Sequence, residues 1–454
     1  MVRSFLIQTY GCQMNDYEAG VVRTILECRG YEETFDEVQA DVLLMMTCSV
    51  RERAEKRALA RLAQFRSVRS QRRMRGGKQP PVIGVLGCMA QNLKERLSSD
   101  YGADIVVGPD QYRQLPELIE KAAAGVRGLV ATAQTNECYE TILPKPESSV
   151  CATITVMRGC DNFCSYCIVP YVKGKERSRP AQDVVTAVRM LAEQGIRDVT
   201  LLGQNVLAYR DGGVDFPALL RLVAALPDIQ RVRFLTSHPR DLDERLLATI
   251  RELPKVCPSL HLPLQSGSDR ILDLMNRGYT RADYLNKIAL IRKNLPEATI
   301  TTDILVGFPS ERAEDFQATL EVVEKVRFDF AYMFRFSARP GTKAATLPEQ
   351  VPAPIAAERL NRLIEIQNRI TRARNREMVG RTFELLIEAE GPRRNGFLGR
   401  TTTNKVVLLT GPAELGELAM TKVTHLRGWT PIAEKVANQS LLVGRTMATS
   451  GYEN

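Results

Sequence analysis

Three cysteines lie close together in the segment Arg158-Gly159-Cys160-Asp161-Asn162-Phe163-Cys164-Ser165-Tyr166-Cys167. The C-x3-C-x2-C spacing allows one short loop to supply three ligands to an iron–sulfur cube. A closed electron-transfer cluster takes four cysteinates, so three thiolates leave one iron open to a cofactor or substrate. The spacing therefore predicts a catalytic 4Fe-4S cluster held by Cys160, Cys164 and Cys167, which we call the loop triplet.

Two other interpretations of the loop triplet are a structural zinc site and buried thiols that only pack. A zinc site needs a fourth ligand, usually Cys or His at short spacing. The three histidines of the chain, His238, His261 and His425, are all distant in sequence from the triplet. The spacing therefore favours iron–sulfur chemistry over zinc.

A chain of 454 residues is longer than one hydrophobic core, which predicts several domains. No run approaches the roughly 20 apolar residues of a membrane span, and Phe5-Leu6-Ile7 is typical of a first strand rather than a signal peptide. Ten cysteines without a secretory leader favour metal ligation in a reducing compartment over disulfides. We therefore predict a cytoplasmic protein without membrane contact.

Positive charge is concentrated in one stretch of the chain. Between Arg51 and Lys78 there are 11 basic residues and two acidic ones, a difference that equals the net charge of +9. A solvated helix face is the alternative, but such a face usually carries charges of both signs. The stretch therefore predicts contact with a polyanion such as RNA. The candidate contacts are Arg69, Arg72, Arg73 and Arg75.

The first predicted segment, residues 1–145, repeats an apolar strand followed by a cysteine. The strands Phe5-Leu6-Ile7, Val42-Leu43-Leu44-Met45-Met46 and Val82-Ile83-Gly84-Val85-Leu86 precede Cys12, Cys48 and Cys88. This alternation predicts an open parallel α/β sheet, whose strands lie about 4.8 Å apart and carry ligands at their carboxyl ends. These three cysteines, the strand-end triplet, are candidates for a second cluster. Cysteines that share no such position are interpreted as packing residues: Cys28, Cys138, Cys151 and Cys257.

The second predicted segment, residues 146–375, alternates strands and helices as a full or partial (βα) barrel does. Polar residues follow its strands, at the barrel face that usually carries the site. Gln204 and Gln265 are candidate cofactor contacts, and His238 is either a site residue or an ordinary loop histidine. The third segment, residues 378–447, has short alternating runs that predict a small antiparallel β-barrel. That barrel either grips nucleic acid or is purely structural.

Several motifs together resemble the methylthiotransferase family of radical S-adenosylmethionine enzymes. They are Gly11-Cys12-Gln13-Met14-Asn15, Thr47-Cys48-Ser49-Val50-Arg51-Glu52, Gly87-Cys88-Met89-Ala90-Gln91 and the loop triplet. The run Gly399-Arg400-Thr401-Thr402-Thr403-Asn404-Lys405 resembles the RNA-binding TRAM domain of that family. The resemblance implies that the loop triplet holds the 4Fe-4S cluster that chelates S-adenosylmethionine, and that the strand-end triplet holds an auxiliary 4Fe-4S cluster.

The resemblance also assigns roles to other residues. It implies that the backbone of Tyr166 meets the adenine of S-adenosylmethionine and that Arg400, Asn404 and Lys405 contact RNA. It names no catalytic residue beyond the cluster ligands. Two positions depart from the common family pattern, Met46 before Thr47-Cys48 and Ser310 where glycine is usual.

Residues around Cys12 and Cys48 are most similar to those of family members that act on isopentenylated adenosine in tRNA. That similarity implies methylthiolation of C2 of N6-isopentenyladenosine next to the anticodon, with two S-adenosylmethionine molecules consumed. The expected partners are the tRNA anticodon stem-loop, an electron donor such as flavodoxin or ferredoxin, and a sulfur donor. Alternative targets are threonylcarbamoyl-adenosine in tRNA and an aspartate of a ribosomal protein. A different class of function is a non-catalytic iron–sulfur carrier or RNA-binding scaffold.

Overall fold

The computed structural model describes residues 4–50, 52–75, 79–146, 148–392 and 395–436. The chain divides into two compact units, Met1–Thr371 and Arg372–Asn454. Residues 437–447 of the predicted third segment lie outside the described residues, as do Arg51, residues 76–78 and the side chain of Arg75. Among the described residues, no helix combines the length and the apolar character that a membrane crossing requires.

The first unit begins with an α/β sheet. Its strands are β1 (Ser4–Thr9), β2 (Glu32–Glu33), β3 (Val42–Thr47), β4 (Val82–Gly87), β5 (Ile105–Val107) and β6 (Leu129–Ala131). Its helices are α1 (Gln13–Glu27), α2 (Glu52–Arg75), α3 (Cys88–Leu93), α4 (Glu95–Ser99) and α5 (Leu115–Ala123). All pairings are parallel, in the order β2-β1-β3-β4-β5-β6.

Helices cover both faces of this sheet. Val22 of α1 and Ile119 of α5 belong to an apolar cluster on one face, and Leu62 and Phe65 of α2 belong to a cluster on the other. Every residue of β3 and β4 is consequently buried. This explains the continuous apolar runs of these strands, since a strand covered on both faces has no polar side.

The rest of the first unit again alternates strands and α-helices along the described part of the chain. The strands are β7 (Cys151–Thr155), β8 (Met157–Arg158), β9 (Arg177–Ser178), β10 (Asp198–Leu202), β11 (Arg210–Asp211), β12 (Val214–Asp215), β13 (Arg231–Phe234), β14 (Ser259–His261), β15 (Thr299–Val306) and β16 (Phe330–Arg335). The helices are α6 (Val169–Lys173), α7 (Ala181–Glu193), α8 (Phe216–Ala224), α9 (Glu244–Glu252), α10 (Asp269–Leu274), α11 (Arg281–Asn294), α12 (Ala313–Val326) and α13 (Ala353–Arg376), whose last residues pass the unit boundary.

Six of these strands form a partial barrel. Parallel sheets β13-β10-β7 and β14-β15-β16 are joined by a parallel bridge between Val232 and Val256. Among the described residues, no ladder connects β7 to β16, so the barrel stays open at that side. Along these strands every second residue, such as Val199, Ile300 and Ile304, packs in the core between the strands and the helices. The residues between them point to the inner side of the barrel, because side chains alternate along a strand.

The second unit contains a closed barrel of five strands in the order β17-β18-β19-β21-β20. Its strands are β17 (Thr382–Glu390), β18 (Phe397–Thr401), β19 (Val406–Thr410), β20 (Leu418–Arg427) and β21 (Thr430–Lys435). Inward side chains such as Leu385, Val407 and Val423 fill the interior, as in other small barrels. The predicted fold class, an open parallel α/β sheet, a partial (βα) barrel and a small β-barrel, is confirmed.

Candidate active site with two cysteine triplets

The strand-end triplet lies at one edge of the N-terminal sheet. Cys48 and Cys88 directly follow β3 and β4, and pairing of Thr47 with Gly87 places them side by side. On the other side of β3, Thr9 pairs with Met46, and the chain reaches Cys12 just before α1. The carboxyl ends of three neighbouring parallel strands therefore bring these cysteines together.

Gly11 allows the close approach of Cys12 and Cys48. Its φ is +151°, and a Cβ there would lie 2.7 Å from Cβ of Cys48 and 2.6 Å from Nδ2 of Asn15. Any side chain would push the loop away from Cys48, so the position requires glycine. Asn15 completes the turn, because its amide donates to the carbonyl of Tyr10 at 2.9 Å, and its Oδ1 lies 3.8 Å from Sγ of Cys12.

The strand-end thiols are electrostatically unequal. A hydrogen bond from Cys48 lowers the pKa of Cys12 to about 6, and the same bond raises the pKa of Cys48. Burial raises the pKa of Cys88 to about 11, although the positive charge of Lys173 opposes that rise. These shifts favour a thiolate at Cys12 and protonated thiols at Cys48 and Cys88, and a metal bound by the three cysteines would require the loss of those protons.

The loop triplet lies between β8 and α6. Gly159 has φ +79°, and a Cβ there would lie 1.9 Å from the carbonyl oxygen of Lys175. The loop can therefore pack against the segment after α6 only with glycine at this position. The Cys160 N–H donates to the Gly174 carbonyl at 3.2 Å, which fixes the start of the triplet against the same segment.

Side chains of Asn162 and Arg277 donate to sulfurs of the loop triplet. Nδ2 of Asn162 lies 3.4 Å from Sγ of Cys160, and Nη1 of Arg277 lies 3.3 Å from Sγ of Cys164. Burial raises the pKa of Cys160, and it raises that of Cys167 to about 12. Donors aimed at sulfur favour the thiolate form that an iron cluster needs. Free thiols, of which Cys164 is buried and Cys160 and Cys167 are half-buried, fit a cysteine-ligated cluster when such donors face them.

Apolar contacts join the two triplets. Cys88 packs in one buried cluster with Ile168 and Val172, which follow the last cysteine of the loop triplet. The two triplets therefore adjoin each other inside the first unit.

A buried ion network also joins the two triplets. Glu18 on α1, after Cys12, pairs with Lys173 of α6, and Nη2 of Arg158 lies 3.0 Å from the same carboxylate oxygen. Burial alone would raise the pKa of Glu18, but Lys173 and Arg158 lower it below its ordinary value. Nε and Nη1 of Arg158 have no hydrogen-bond partner among the described residues, and its guanidinium lies over the ring of Tyr139 at 4.9 Å. No local sequence pattern indicates this network, because Glu18 and Arg158 are 140 residues apart.

The predicted cofactor contacts have distinct surroundings. Tyr166 packs against an apolar cluster that includes Ile271 and Phe308, and burial raises the pKa of its hydroxyl. Oε1 of Gln204 accepts from the Gly159 N–H at 2.6 Å, so Gln204 supports the cluster loop from behind. Gln265 is in the left-handed region with φ +66°, a conformation that often occurs at functional sites.

His238 is buried near the loop of the loop triplet. Its charged neighbours Arg277 and Arg240 contact Cys164 and Asn162 of that loop. Burial, followed by the charges of Arg277 and Arg240, lowers its pKa to about 3, so the ring is neutral. Its Nδ1 accepts from the Arg240 N–H at 3.4 Å, while Nε2 has no hydrogen-bond partner among the described residues.

The predicted RNA contacts on α2 are not equally accessible. Arg72 is 7% exposed, and its guanidinium donates to the carbonyls of Val38, Ala40 and Gln79. Arg69 lies 2.9 Å from both carboxylate oxygens of Asp104. These two arginines hold α2 on the sheet. Arg72 is therefore unsuited to the predicted RNA contact, and the guanidinium of Arg69 is largely occupied by its ion pair with Asp104. Arg73 is exposed.

The predicted RNA contacts in the second unit form hydrogen bonds within that unit. Nε of Arg400 lies 3.0 Å from Glu388, and its Nη1 donates to Oδ1 of Asn404 at 3.1 Å. Nζ of Lys405 donates to Oδ1 of Asn375 at 3.1 Å. All three predicted contacts are half-buried, so part of each side chain stays at the surface of the barrel.

Family models match three parts of the chain. The radical SAM superfamily matches residues 154–323, the uncharacterized protein family UPF0004 matches residues 4–108, and the TRAM domain matches residues 376–436. The first match contains the loop triplet, and the second contains the strand-end triplet.

Curated relatives match nearly the whole chain. The tRNA-2-methylthio-N(6)-dimethylallyladenosine synthase of Phocaeicola vulgatus is 43% identical over 449 residues, 96% of each chain. Proteins of the same name from Porphyromonas gingivalis and Thermoanaerobacter pseudethanolicus are 45% and 43% identical, covering 89% and 95% of this chain and 89% and 92% of their own. The chain belongs to the family of radical SAM methylthiotransferases. Radical SAM methylthiotransferases use S-adenosylmethionine and carry two 4Fe-4S clusters.

Solved structures share the fold. The radical S-adenosylmethionine methyltransferase TsrM from Kitasatospora setae, with cobalamin and a [4Fe-4S] cluster bound, superposes with a TM-score of 0.56. It is 16% identical and covers 76% of this chain and 77% of its own. The cobalamin-dependent S-adenosylmethionine radical enzyme OxsB gives a TM-score of 0.53 at 12% identity, with 80% of this chain and 56% of its own covered.

Proposed function

We propose that this methylthiotransferase modifies C2 of N6-isopentenyladenosine next to the tRNA anticodon. Its relatives are named tRNA-2-methylthio-N(6)-dimethylallyladenosine synthase, which supports the base and the position of the sulfur. One structural observation carries the proposal: two cysteine triplets adjoin each other across a buried boundary made by Cys88, Ile168 and Val172. A reaction that joins sulfur to carbon with two clusters needs both clusters to reach one substrate atom. Threonylcarbamoyl-adenosine and the ribosomal protein aspartate are the less favoured targets.

The cysteine triplets are the proposed cluster ligands. The loop triplet binds the cluster that holds S-adenosylmethionine, with Tyr166 and Gln265 as proposed contacts of that cofactor. The strand-end triplet binds the auxiliary cluster. When bound, these groups supply the radical and sulfur chemistry that acid–base side chains cannot perform on an aromatic C–H.

The protein contributes position and charge. Arg277 and Asn162 donate to sulfurs of the loop triplet, and Gln204 supports Gly159 at its start. Glu18 ties α1, after Cys12, to Arg158 and Lys173 on either side of the loop triplet. A misplacement of about 1 Å can reduce a rate about a hundredfold, so these contacts support the reaction by fixing the geometry.

RNA binding is proposed for two surfaces. Among the α2 side chains that the structure describes, the exposed arginines are Arg53, Arg57, Arg66 and Arg73. In the second unit, Arg400, Asn404 and Lys405 belong to the part that the TRAM model matches. An electron donor such as flavodoxin or ferredoxin and a sulfur donor complete the proposed reaction, which we place in the cytoplasm.

A genetic experiment tests the proposal. The chain is expressed in a strain that lacks its own enzyme of this activity, and tRNA nucleosides are analysed by mass spectrometry. We expect 2-methylthio-N6-isopentenyladenosine to return with the wild-type chain and with Cys28→Ala, which changes an exposed thiol outside both triplets. Alanine at any cysteine of either triplet should abolish it. Absence of the product with the wild-type chain, while the tRNA keeps its isopentenyl group, would contradict the proposal.

A further inference from the structure

Two large aromatic side chains are exposed on the inner side of the partial barrel. Phe330 and Tyr332 of β16 are each 47% exposed, and their ring centroids lie 5.0 Å apart at 79°. Ala331 between them belongs to the core under the helices, so the two rings project from the opposite face. Two adjacent aromatic rings that stay exposed together form a candidate surface for stacking a ligand.

Polar side chains extend the same surface. Pairing of His261 with Thr301 and of Asp303 with Tyr332 places these residues on one face of β14, β15 and β16. His261 is held at both nitrogens, since Nδ1 lies 2.9 Å from Oγ1 of Thr301 and Nε2 lies 3.3 Å from Oδ2 of Asp303. Its ring meets that of Tyr332 edge-on, with centroids 5.9 Å apart. The surface therefore combines stacking area with fixed hydrogen-bonding groups.

The aromatic surface adjoins the proposed cofactor contacts. The Gln265 N–H donates to the Asp303 carbonyl at 2.8 Å. Leu305 lies two residues after Asp303 on the same face of β15, about 6.6 Å along the strand. It packs against the apolar cluster that also contacts Tyr166. A ligand stacked on Tyr332 would therefore lie beside the proposed cofactor contacts Gln265 and Tyr166.

We propose that Phe330 and Tyr332, with His261 and Asp303 at their edge, bind an unpaired nucleobase that flanks the reacting adenosine in the tRNA loop. The inference rests on the proposed function, which supplies a single-stranded RNA loop as the ligand. Proteins read unpaired bases by stacking them on aromatic rings and by hydrogen bonds to their edges. A carboxylate and a neutral aromatic pair do not attract phosphate, so the base is the part of the nucleotide that this surface fits.

Binding of an isopentenylated anticodon stem-loop to the reconstituted holoenzyme tests the site. Loss of one stacked base should weaken affinity about 5- to 150-fold in Tyr332→Ala, with a similar effect in Phe330→Ala. Tyr332→Phe should bind like wild type, whereas Tyr332→Leu, which keeps apolar bulk without a ring, should resemble the alanine variant. Phe35→Ala is the matched control, because Phe35 is an aromatic residue that is 90% exposed elsewhere in the first unit.

A second measurement locates the base. Stem-loops carrying 2-aminopurine at successive loop positions should show quenching at a position that flanks the adenosine, and Tyr332→Ala should remove it. Affinity of Tyr332→Ala within twofold of Phe35→Ala, or quenching that survives in Tyr332→Ala, would overturn the inference. Formation of 5′-deoxyadenosine without RNA should be equal in all variants. If wild type binds and quenches but yields no methylthiolated product, the proposed function fails and the stacking site stands.

Discussion

The buried carboxylate of Glu18 offers a test of how the two triplets are held together. Glu18 is fully buried, pairs with Lys173 and Arg158, and accepts from the Tyr112 hydroxyl at 2.8 Å. Glu18→Gln keeps the shape of the side chain but removes the ion-pair partner of Lys173, while Arg158 keeps Asp110 at 3.6 Å from its Nη2. Removal of one partner from a buried ion pair costs about 3–5 kcal/mol.

That cost converts to a measurable change in melting temperature. A large unit shifts by about 2 °C per kcal/mol, so Glu18→Gln should lower Tm by about 6–10 °C in thermal unfolding followed by circular dichroism. The control is Glu27→Gln at the end of the same helix, where Glu27 forms a surface pair with Lys145 at 2.6 Å. Exposed pairs contribute about 0–1 kcal/mol, so the control should lose no more than about 2 °C.

The sign of the pH dependence follows from the lowered pKa of Glu18. A carboxyl whose pKa is lower in the folded state stabilises above its unfolded pKa, here near 4.5, and loses that contribution as pH falls through the folded value. The difference in Tm between wild type and Glu18→Gln should therefore shrink in acid. Adding Lys173→Met to Glu18→Gln should recover part of the loss. The reasoning is refuted if Glu18→Gln melts within about 2 °C of Glu27→Gln at neutral pH.

Further predictions concern the clusters, the RNA surface and one backbone strain. Alanine at all three positions of either triplet should reduce bound iron from about eight to about four atoms per chain by colorimetric assay, and unchanged iron would contradict the two-cluster assignment. Arg277→Gln removes a hydrogen bond to Cys164 worth about 1 kcal/mol. It should therefore lower the reduction potential of the loop-triplet cluster by roughly 40 mV in an EPR-monitored titration. An unchanged or higher potential would contradict this role of Arg277. Neutralising the exposed α2 arginines should flatten the plot of log K for tRNA binding against log salt concentration. The slope should fall by about 0.7–0.9 for each phosphate contact that is lost. A slope equal to that of wild type would mean that α2 is a solvated surface. Ser310 has φ +66°, so Ser310→Gly should raise stability by about 1 kcal/mol in thermal unfolding, and a lower stability would disprove the strain.

Local sequence patterns predicted the architecture well because the strands of the N-terminal sheet are buried on both faces. Each continuous apolar run became a strand, and the cysteine after it came to the same sheet edge. The ion network joins residues too distant in sequence for local patterns, since Glu18 is 140 residues from Arg158. A signal for Glu18 itself was present, because it lies four positions before the buried Val22 on the inner face of α1.

Charge alone did not separate the buried arginines of α2 from the exposed ones. Ala58, Leu62, Phe65 and Arg72 follow a helical period and are all buried, so Arg72 lies on the face that packs against the sheet. The number of basic residues in a stretch carries no information about this periodicity. Arg277 could not have been found from sequence, because its contact with Cys164 spans 113 residues and depends on how the barrel loops fold together.

The most direct test of the proposed function offers four substrates side by side to the reconstituted holoenzyme with S-adenosylmethionine and a reductant. They are isopentenylated tRNA, unmodified tRNA, threonylcarbamoylated tRNA and the ribosomal protein, and products are identified by mass spectrometry. Because the two cysteine triplets adjoin each other in a methylthiotransferase of this kind, we expect a methylthio group at C2 of the isopentenylated adenosine. Unmodified tRNA should react little. Methylthiolation confined to threonylcarbamoylated tRNA or to the ribosomal protein would contradict the account.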